Sequence, residues 1–264
     1  MTTVTLRRLR VTFGSWLIWL LGLAALAAVY VPLYRRYEAE GLFRAGPLPD
    51  GVSDVLGLAN LGTPTGFLAA TILGPLGLLV LVSAAITYGA GAVAGDEERG
   101  YLDLTVSRGV PRFWVYVGKA LASGVSVVSL GAAFTAMVGW AVSAIDLPIV
   151  LTNVVATGMA LTLLAILHAS IALAVGAATG RGGLAKVVAG TIATAGFVVW
   201  ALETSGARYS PYTWLLGGRP LETGVPWLGV LLTLAASLAA WFLGLVAFLS
   251  RDIGRWRVDS TSRP

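Results

Sequence analysis

Residues 94–119 hold the chain's densest set of reactive side chains. Asp96, Glu97, Glu98, Arg99, Asp103, Arg108, Arg112 and Lys119 fall between two long apolar segments. They are eight of 31 charged residues, counting 18 Lys and Arg and 13 Asp and Glu. Carboxylates at 96–98 suit the positive end of a short helix, and Gly109 with Pro111 marks a break. Two readings stand for this loop. It forms a short helix and turn that inserts into a groove on a soluble partner and transmits that partner's motion, or it is a solvated loop whose charges only keep it out of lipid.

Few other residues have the types or spacing for chemistry. There is no cysteine, which excludes disulfides, thiolate metal sites and cysteine nucleophiles. One histidine, His168, cannot build a histidine metal site. A lone histidine on an apolar helix reads as a hydrogen-bonded packing residue more readily than as a proton carrier. Pumps and secondary carriers keep ionisable groups deep in their spans. Here only His168, Lys186 and Glu203 come near that description, and Glu203 and Asp146 read as boundary residues. No apolar segment holds two acids, and His168 and Ser170 are too close in sequence to share a helix face. A membrane-embedded hydrolase is therefore disfavoured. No phosphate-binding loop occurs. Gly118-Lys119 is followed by Ala120 and preceded by bulky Trp114, Val115, Tyr116 and Val117, which cannot cradle a phosphate. If ATP drives this protein, another chain binds it.

The elements that position these residues follow from composition. The chain is 57% hydrophobic and 12% charged, with mean hydropathy +0.83. That is about half the charge of a soluble domain, so we read an integral membrane protein. A spanning helix needs about 20 mostly apolar residues. Six segments qualify, near 13–33, 65–94, 113–142, 149–178, 184–202 and 225–250, in a single transmembrane domain over 1–264. Several approach thirty residues and must tilt, kink or run past the hydrocarbon. Pro75 predicts a kink in the second. The first apolar run is too long for a cleaved signal peptide.

With both termini cytoplasmic, thirteen Lys and Arg fall inside and five outside: Arg35, Arg36, Arg44, Arg208 and Arg219. That bias sets the orientation and accounts for the basic pI without nucleic acid. It places loops 95–112 and 179–183 in the cytoplasm and loops 34–64, 143–148 and 203–224 outside. The first outer loop includes a possible amphipathic piece near 52–61. Thr2–Trp16 mixes apolar residues with Arg7, Arg8 and Arg10. It is either an amphipathic helix on the inner leaflet or a basic tail that only sets topology. Small-xxx-small pairs such as Gly91–Gly95 and Gly176–Gly180 predict close helix packing.

The loop resembles the signature of ABC type-2 transporter permeases: Gly-Asp-Glu-Glu-Arg-Gly-Tyr-Leu-Asp-Leu-Thr, then Ser-Arg-Gly-Val-Pro-Arg, then Val-Gly-Lys-Ala-Leu. Ser210-Pro211-Tyr212-Thr213-Trp214 and Phe248-Leu249-Ser250-Arg251-Asp252-Ile253 are similar to that family's outer segment and closing motif. The resemblance implies an all-α fold of six transmembrane helices, an N-terminal interfacial helix carrying Arg7, Arg8 and Arg10, and both ends inside. It implies the permease half of an exporter in the plasma membrane of a prokaryote. This half holds no cofactor; a separate ATPase subunit binds ATP and Mg, and a second permease copy or related permease completes the assembly.

Asp96, Glu97, Glu98, Arg99, Gly100, Leu104, Ser107, Arg108, Pro111 and Arg112 would form the coupling element on the ATPase. An outer re-entrant segment with Tyr209, Pro211, Tyr212 and Trp214 would gate the exit of a hydrophobic or amphipathic substrate. Pro111-Arg112 comes later than the family's usual spacing, and Tyr101 replaces its common threonine. Two alternatives remain: a non-transporting scaffold or mechanotransmitting subunit, and an ion-coupled carrier that depends on His168 or Glu203.

Overall fold

A computed structural model describes residues 2–40, 62–102, 109–202 and 205–251, with side chains from Phe13 onward. Among these residues every regular element is helical. Six helices are long and apolar enough to cross a membrane, which makes the chain a multi-pass membrane protein.

The helices are α1 (Thr2–Ala39), α2 (Pro64–Ala70), α3 (Pro75–Ala92), α4 (Ala94–Glu98), α5 (Arg112–Ala144), α6 (Leu151–Thr179), α7 (Gly182–Ala201), α8 (Pro211–Leu216), α9 (Pro220–Thr223) and α10 (Trp227–Ser250). Hydroxyls inside the spans mostly turn back on their own helix. Thr135, Thr157, Thr162 and Ser170 each donate to the carbonyl four residues earlier, which satisfies them where no water is available.

Thr2–Trp16, expected as an amphipathic helix or a basic tail, is helical and forms the start of α1, with no break before the first span. One expectation changes. The second span is not merely kinked at Pro75 but interrupted over 71–74. Pro75 has no N–H and occupies the first position of α3. The turn closes with wide bonds from Leu73 N to Leu68 O and from Leu76 N to Thr71 O, at 2.8 and 3.2 Å, the five-residue spacing of a π-bulge. A methyl group on Gly74 would overlap the Ala69 carbonyl oxygen. The expected piece near 52–61 lies outside the described residues.

Helix α6 is the centre of the bundle and the most buried span, in contact with α3, α5, α7, α8, α9 and α10. In lipid, close packing replaces the hydrophobic effect as the force between helices, and the side chains show how it is reached. Helices α5 and α6 carry the same Gly-xxx-Thr pattern in opposite directions. Thr162 fills the space over Gly131, and Thr135 fills the space over Gly158. On the other side of α6, Gly89 of α3 sits directly against the Ala169 carbonyl. These contacts, more than Gly91–Gly95, set the spacing: Gly95 has nothing within 4 Å of its Cβ position.

Helix α1 is mostly exposed and packs chiefly along α5, its parallel neighbour. Trp16 Nε1 donates to Ser129 Oγ at 3.1 Å. Arg35 Nη2 donates to the Ile145 and Asp146 carbonyls at 2.9 and 2.8 Å. Those are carbonyls just past the end of α5, where Asp146 takes a left-handed conformation with φ 49° and Leu147 N bonds back to Val142 O.

The packing gives a paired prediction. Gly89→Val should force α3 off α6 and destabilise the chain by at least the ~1–3 kcal/mol of an overpacked core. Gly190→Ala, which has open space around it, should leave the thermal midpoint in detergent unchanged or slightly raised. Equal midpoints for the two variants would contradict the contact.

Candidate functional site

The acidic cluster folds as α4, continuous with the end of α3. One helical turn spreads three successive acids around its axis, and each finds a different neighbour. Asp96 Oδ2 accepts from Lys119 Nζ of α5 at 2.6 Å. Glu97 Oε1 pairs with the Arg251 guanidinium just past α10. Glu98 Oε1 accepts from Gly182 N at 2.7 Å, capping the first turn of α7 where the helix dipole favours a negative charge.

Arg251 ties this end further. Its Nη1 donates to the Ala177 carbonyl of α6 at 3.0 Å, while Arg112 Nη1 of α5 donates to the Arg251 carbonyl at 2.9 Å. Five helices, α4, α5, α6, α7 and α10, are joined at one end by charge-assisted bonds.

Gly180 makes room for this. It ends α6 in the left-handed conformation at φ 70°. A methyl there would stand 2.8 Å from Glu97 Oε1 and 2.9 Å from Arg251 Nη2. Both the backbone angle and the space therefore call for glycine.

Sequence reasoning left Asp96, Glu97 and Glu98 with two readings, a partner-docking element or a solvated loop. The structure directs all three acids at their own chain. Arg99 and Tyr101 remain exposed beside them, and Gly100 turns the chain at φ 71°. Pro111 precedes α5, and Arg112 opens it. Leu104, Ser107 and Arg108 lie outside the described residues, as do the side chains of Arg7, Arg8 and Arg10. Lys119, Gly180, Gly182 and Arg251 were not singled out for such a junction. The available signals were a lysine seven residues into an apolar span and an arginine closing another.

The opposite end carries a second built feature, the hairpin of α8 and α9 between α7 and α10. Ser210 Oγ caps α8 by accepting from Tyr212 N at 3.3 Å, and donates to the Gly196 carbonyl of α7 at 2.9 Å. Pro211 takes the first helical position. Tyr212 is buried, stacks on Trp200 and meets Phe197 edge-on. Its hydroxyl reaches His168 Nε2 of α6 at 3.4 Å.

Trp214 Nε1 donates to the Arg208 carbonyl at 2.8 Å. Tyr209 is exposed under the Arg208 guanidinium, 4.8 Å from its ring centroid. Asn153 Nδ2 at the start of α6 donates to the Glu222 carbonyl at 3.1 Å. Tyr212 is thus the buried anchor of the segment, while Tyr209 faces outward. Among the described residues no group of three His, Asp or Glu side chains could hold a metal ion.

No protein-family model matches this chain, and no curated protein matches it.

The junction can be tested through its most buried charge. The Lys119 side chain is 3% exposed and that of Asp96 23%. Lys119→Met should cost on the order of 3 kcal/mol, because an acid then stays partly buried without its cation. Adding Asp96→Asn should recover a large part of that loss. Additive losses in a double-mutant cycle on thermal or denaturant unfolding would show that the pair is not coupled.

Proposed function

We propose that this chain is the membrane-spanning permease subunit of an ATP-driven exporter resembling the ABC type-2 class. It would work with a separate ATPase subunit that binds ATP and Mg, and with a second copy or a related permease. The observation that carries this reading is the junction. The segment 99–112 emerges from α4, and α4 is bonded directly to α5, to α7 and to Arg251 just past α10, and through Arg251 to the end of α6. A push on that segment is therefore delivered to α5, α6, α7 and α10 together, as an externally powered transporter requires.

Other features agree with the reading. Lys and Arg are concentrated at the junction end, and under the positive-inside rule that bias supports a cytoplasmic junction with both termini on the same side. The chain carries no nucleotide loop of its own. The hairpin sits at the other end, where an exit would open. The apolar spans suit a hydrophobic or amphipathic substrate, and a multi-pass protein of this kind belongs in a prokaryotic plasma membrane.

The junction also changes which residues should be mutated. Replacing Glu97 or Glu98 breaks contacts within the chain, so a loss of coupling there would be confounded with instability. Arg99 is exposed and serves better.

The chain, tagged and extracted in mild detergent, is expected to co-purify with an ATPase in stoichiometric amount. Arg99→Ala should weaken that association severalfold while leaving the thermal midpoint within about 1 °C, since exposed substitutions rarely exceed ~0.5 kcal/mol. Purification of the chain alone from membranes that preserve other complexes would refute the exporter reading and favour an ion-coupled carrier. A bound ATPase without any transported substrate would favour a mechanotransmitting subunit.

A further inference from the structure

Tyr212 and His168 meet far inside the bundle. His168 lies 17 residues beyond Leu151 in α6, about 25 Å along the helix axis. Helix α8 therefore does not lie across the helix ends. It dips between α6, α7 and α10 with the phenol of Tyr212 foremost, while α9 stays at the start of α6. Non-helical backbone at that depth is tolerated only when buried in protein or facing a water-filled cavity. Leu215 and Leu221 are both buried, and Gly196 and Gly229 leave room for Tyr212 and for the Trp214 carbonyl. The hairpin is seated like a plug.

The chemistry of the seat is asymmetric. His168 is 1% exposed. Its Nδ1 is 2.7 Å from the Leu164 carbonyl oxygen. A carbonyl only accepts, so Nδ1 carries the ring's proton and the neutral ring has Nε2 free to accept. Tyr212 then donates its hydroxyl proton to Nε2. A second proton on the ring would sit on Nε2 and face the same hydroxyl. Tyr212 would have to turn its own proton toward the surrounding apolar and aromatic side chains, and a cation would be buried.

Among the described residues no counter-charge stands against the ring to stabilise that cation. The titratable residues on the described helices that pack against α6 are few. Tyr88 of α3 faces Ser15 of α1. On α5, Arg112 bonds the Arg251 carbonyl, Tyr116 donates to the Trp241 carbonyl and Lys119 pairs with Asp96. Lys186 is exposed near the start of α7. Glu222 of α9 lies at the α6 terminus, where its carbonyl meets Asn153. Helix α10 has none. The α4 acids Asp96, Glu97 and Glu98 are engaged at the junction by Lys119, Arg251 and Gly182 N. Of these described groups, Tyr212 is the one within hydrogen-bonding reach of the imidazole.

We propose that His168 and Tyr212 form a proton-operated latch on the hairpin. The seated hairpin takes the neutral imidazole, and the released hairpin exposes a ring free to bind a proton. By linkage, acid shifts the balance toward release. The ratio of released to seated hairpin rises by up to tenfold per pH unit below the ordinary imidazole range near pH 6.5. The latch needs no ATPase, so its failure and that of the exporter reading are separate results.

The full chain in phosphatidylcholine nanodiscs can be tested directly. His168 is the only histidine, so the imidazole signals of a ¹⁵N-histidine sample belong to it. At pH 8 they should show one tautomer, protonated on Nδ1. Amide hydrogen exchange over 211–216, corrected for its intrinsic pH dependence, should rise as pH falls from 7 to 5. His168→Gln should abolish that rise. Tyr212→Phe keeps the ring and loses only the hydroxyl, so it should speed exchange over 211–216 severalfold at pH 8. An Nε2-protonated ring at pH 8, wild-type exchange independent of pH, or an unchanged rise in His168→Gln would each overturn the latch. Should His168→Gln fail to fold, the wild-type titration and Tyr212→Phe decide the question between them.

Discussion

A helix that ends in or near lipid leaves four carbonyls or four N–H groups without partners, and the bilayer supplies none. The polar architecture of this chain answers that constraint. Three arginines act on helix C-terminal ends that are not their own. Arg35 covers the carbonyls just past α5, Arg251 covers Ala177 near the end of α6, and Arg112 covers the residue after α10. Glu98 does the complementary service for the first N–H of α7. Each contact joins two helices because it satisfies one with a side chain from another, so capping and assembly are the same event.

This also accounts for the fate of the acidic cluster. Salt bridges exposed to water contribute little, and buried ones contribute less than their Coulomb attraction implies because both ions lose hydration. Asp96 with Lys119 and Glu97 with Arg251 fall between these limits, with side chains from 3 to 25% exposed. Their net stabilisation is modest. Together they fix one arrangement of α4, in which each of the three acids meets a different neighbour. Gly180 fits the same logic, because any side chain at that corner would part Glu97 from Arg251.

The six spans were legible from apolar run length, and their described boundaries move by only a few residues except in the first two. The exceptions are instructive. Run length cannot distinguish an interfacial helix from the start of a longer one, so Thr2–Trp16 merged into α1. Pro75 marked the right place in the second span, but a lone proline implies a kink. The full interruption needs Gly74 and the wide bonds around Thr71, and those depend on backbone geometry. The charged loop was conspicuous in the sequence, but the contacts its three acids make within the chain were not. Whether Glu97 faces a partner or Arg251 depends on two residues 154 positions apart, and no local pattern encodes that. Tyr212 and Tyr209 looked equivalent in an aromatic outer segment, and only the packing of α8 against α7 separates the buried one from the exposed one.

The two built ends are connected by one element. Helix α6 runs unbroken from Leu151 to Thr179, carries His168 in its interior and ends at Gly180 among the junction charges. A displacement of its junction end must therefore reach the hairpin seat about 18 Å away along the axis, because the helix has no proline or bulge to absorb it. The second span behaves differently. Helix α3 is welded to α6 at Gly89 and to the junction through α4, but its continuity stops at the turn over 71–74. Helix α2 beyond that turn packs instead on α1, where Phe67 meets Tyr34 and Tyr37. Helix α1 is joined to the junction by another route, along α5, which carries Lys119 and Arg112.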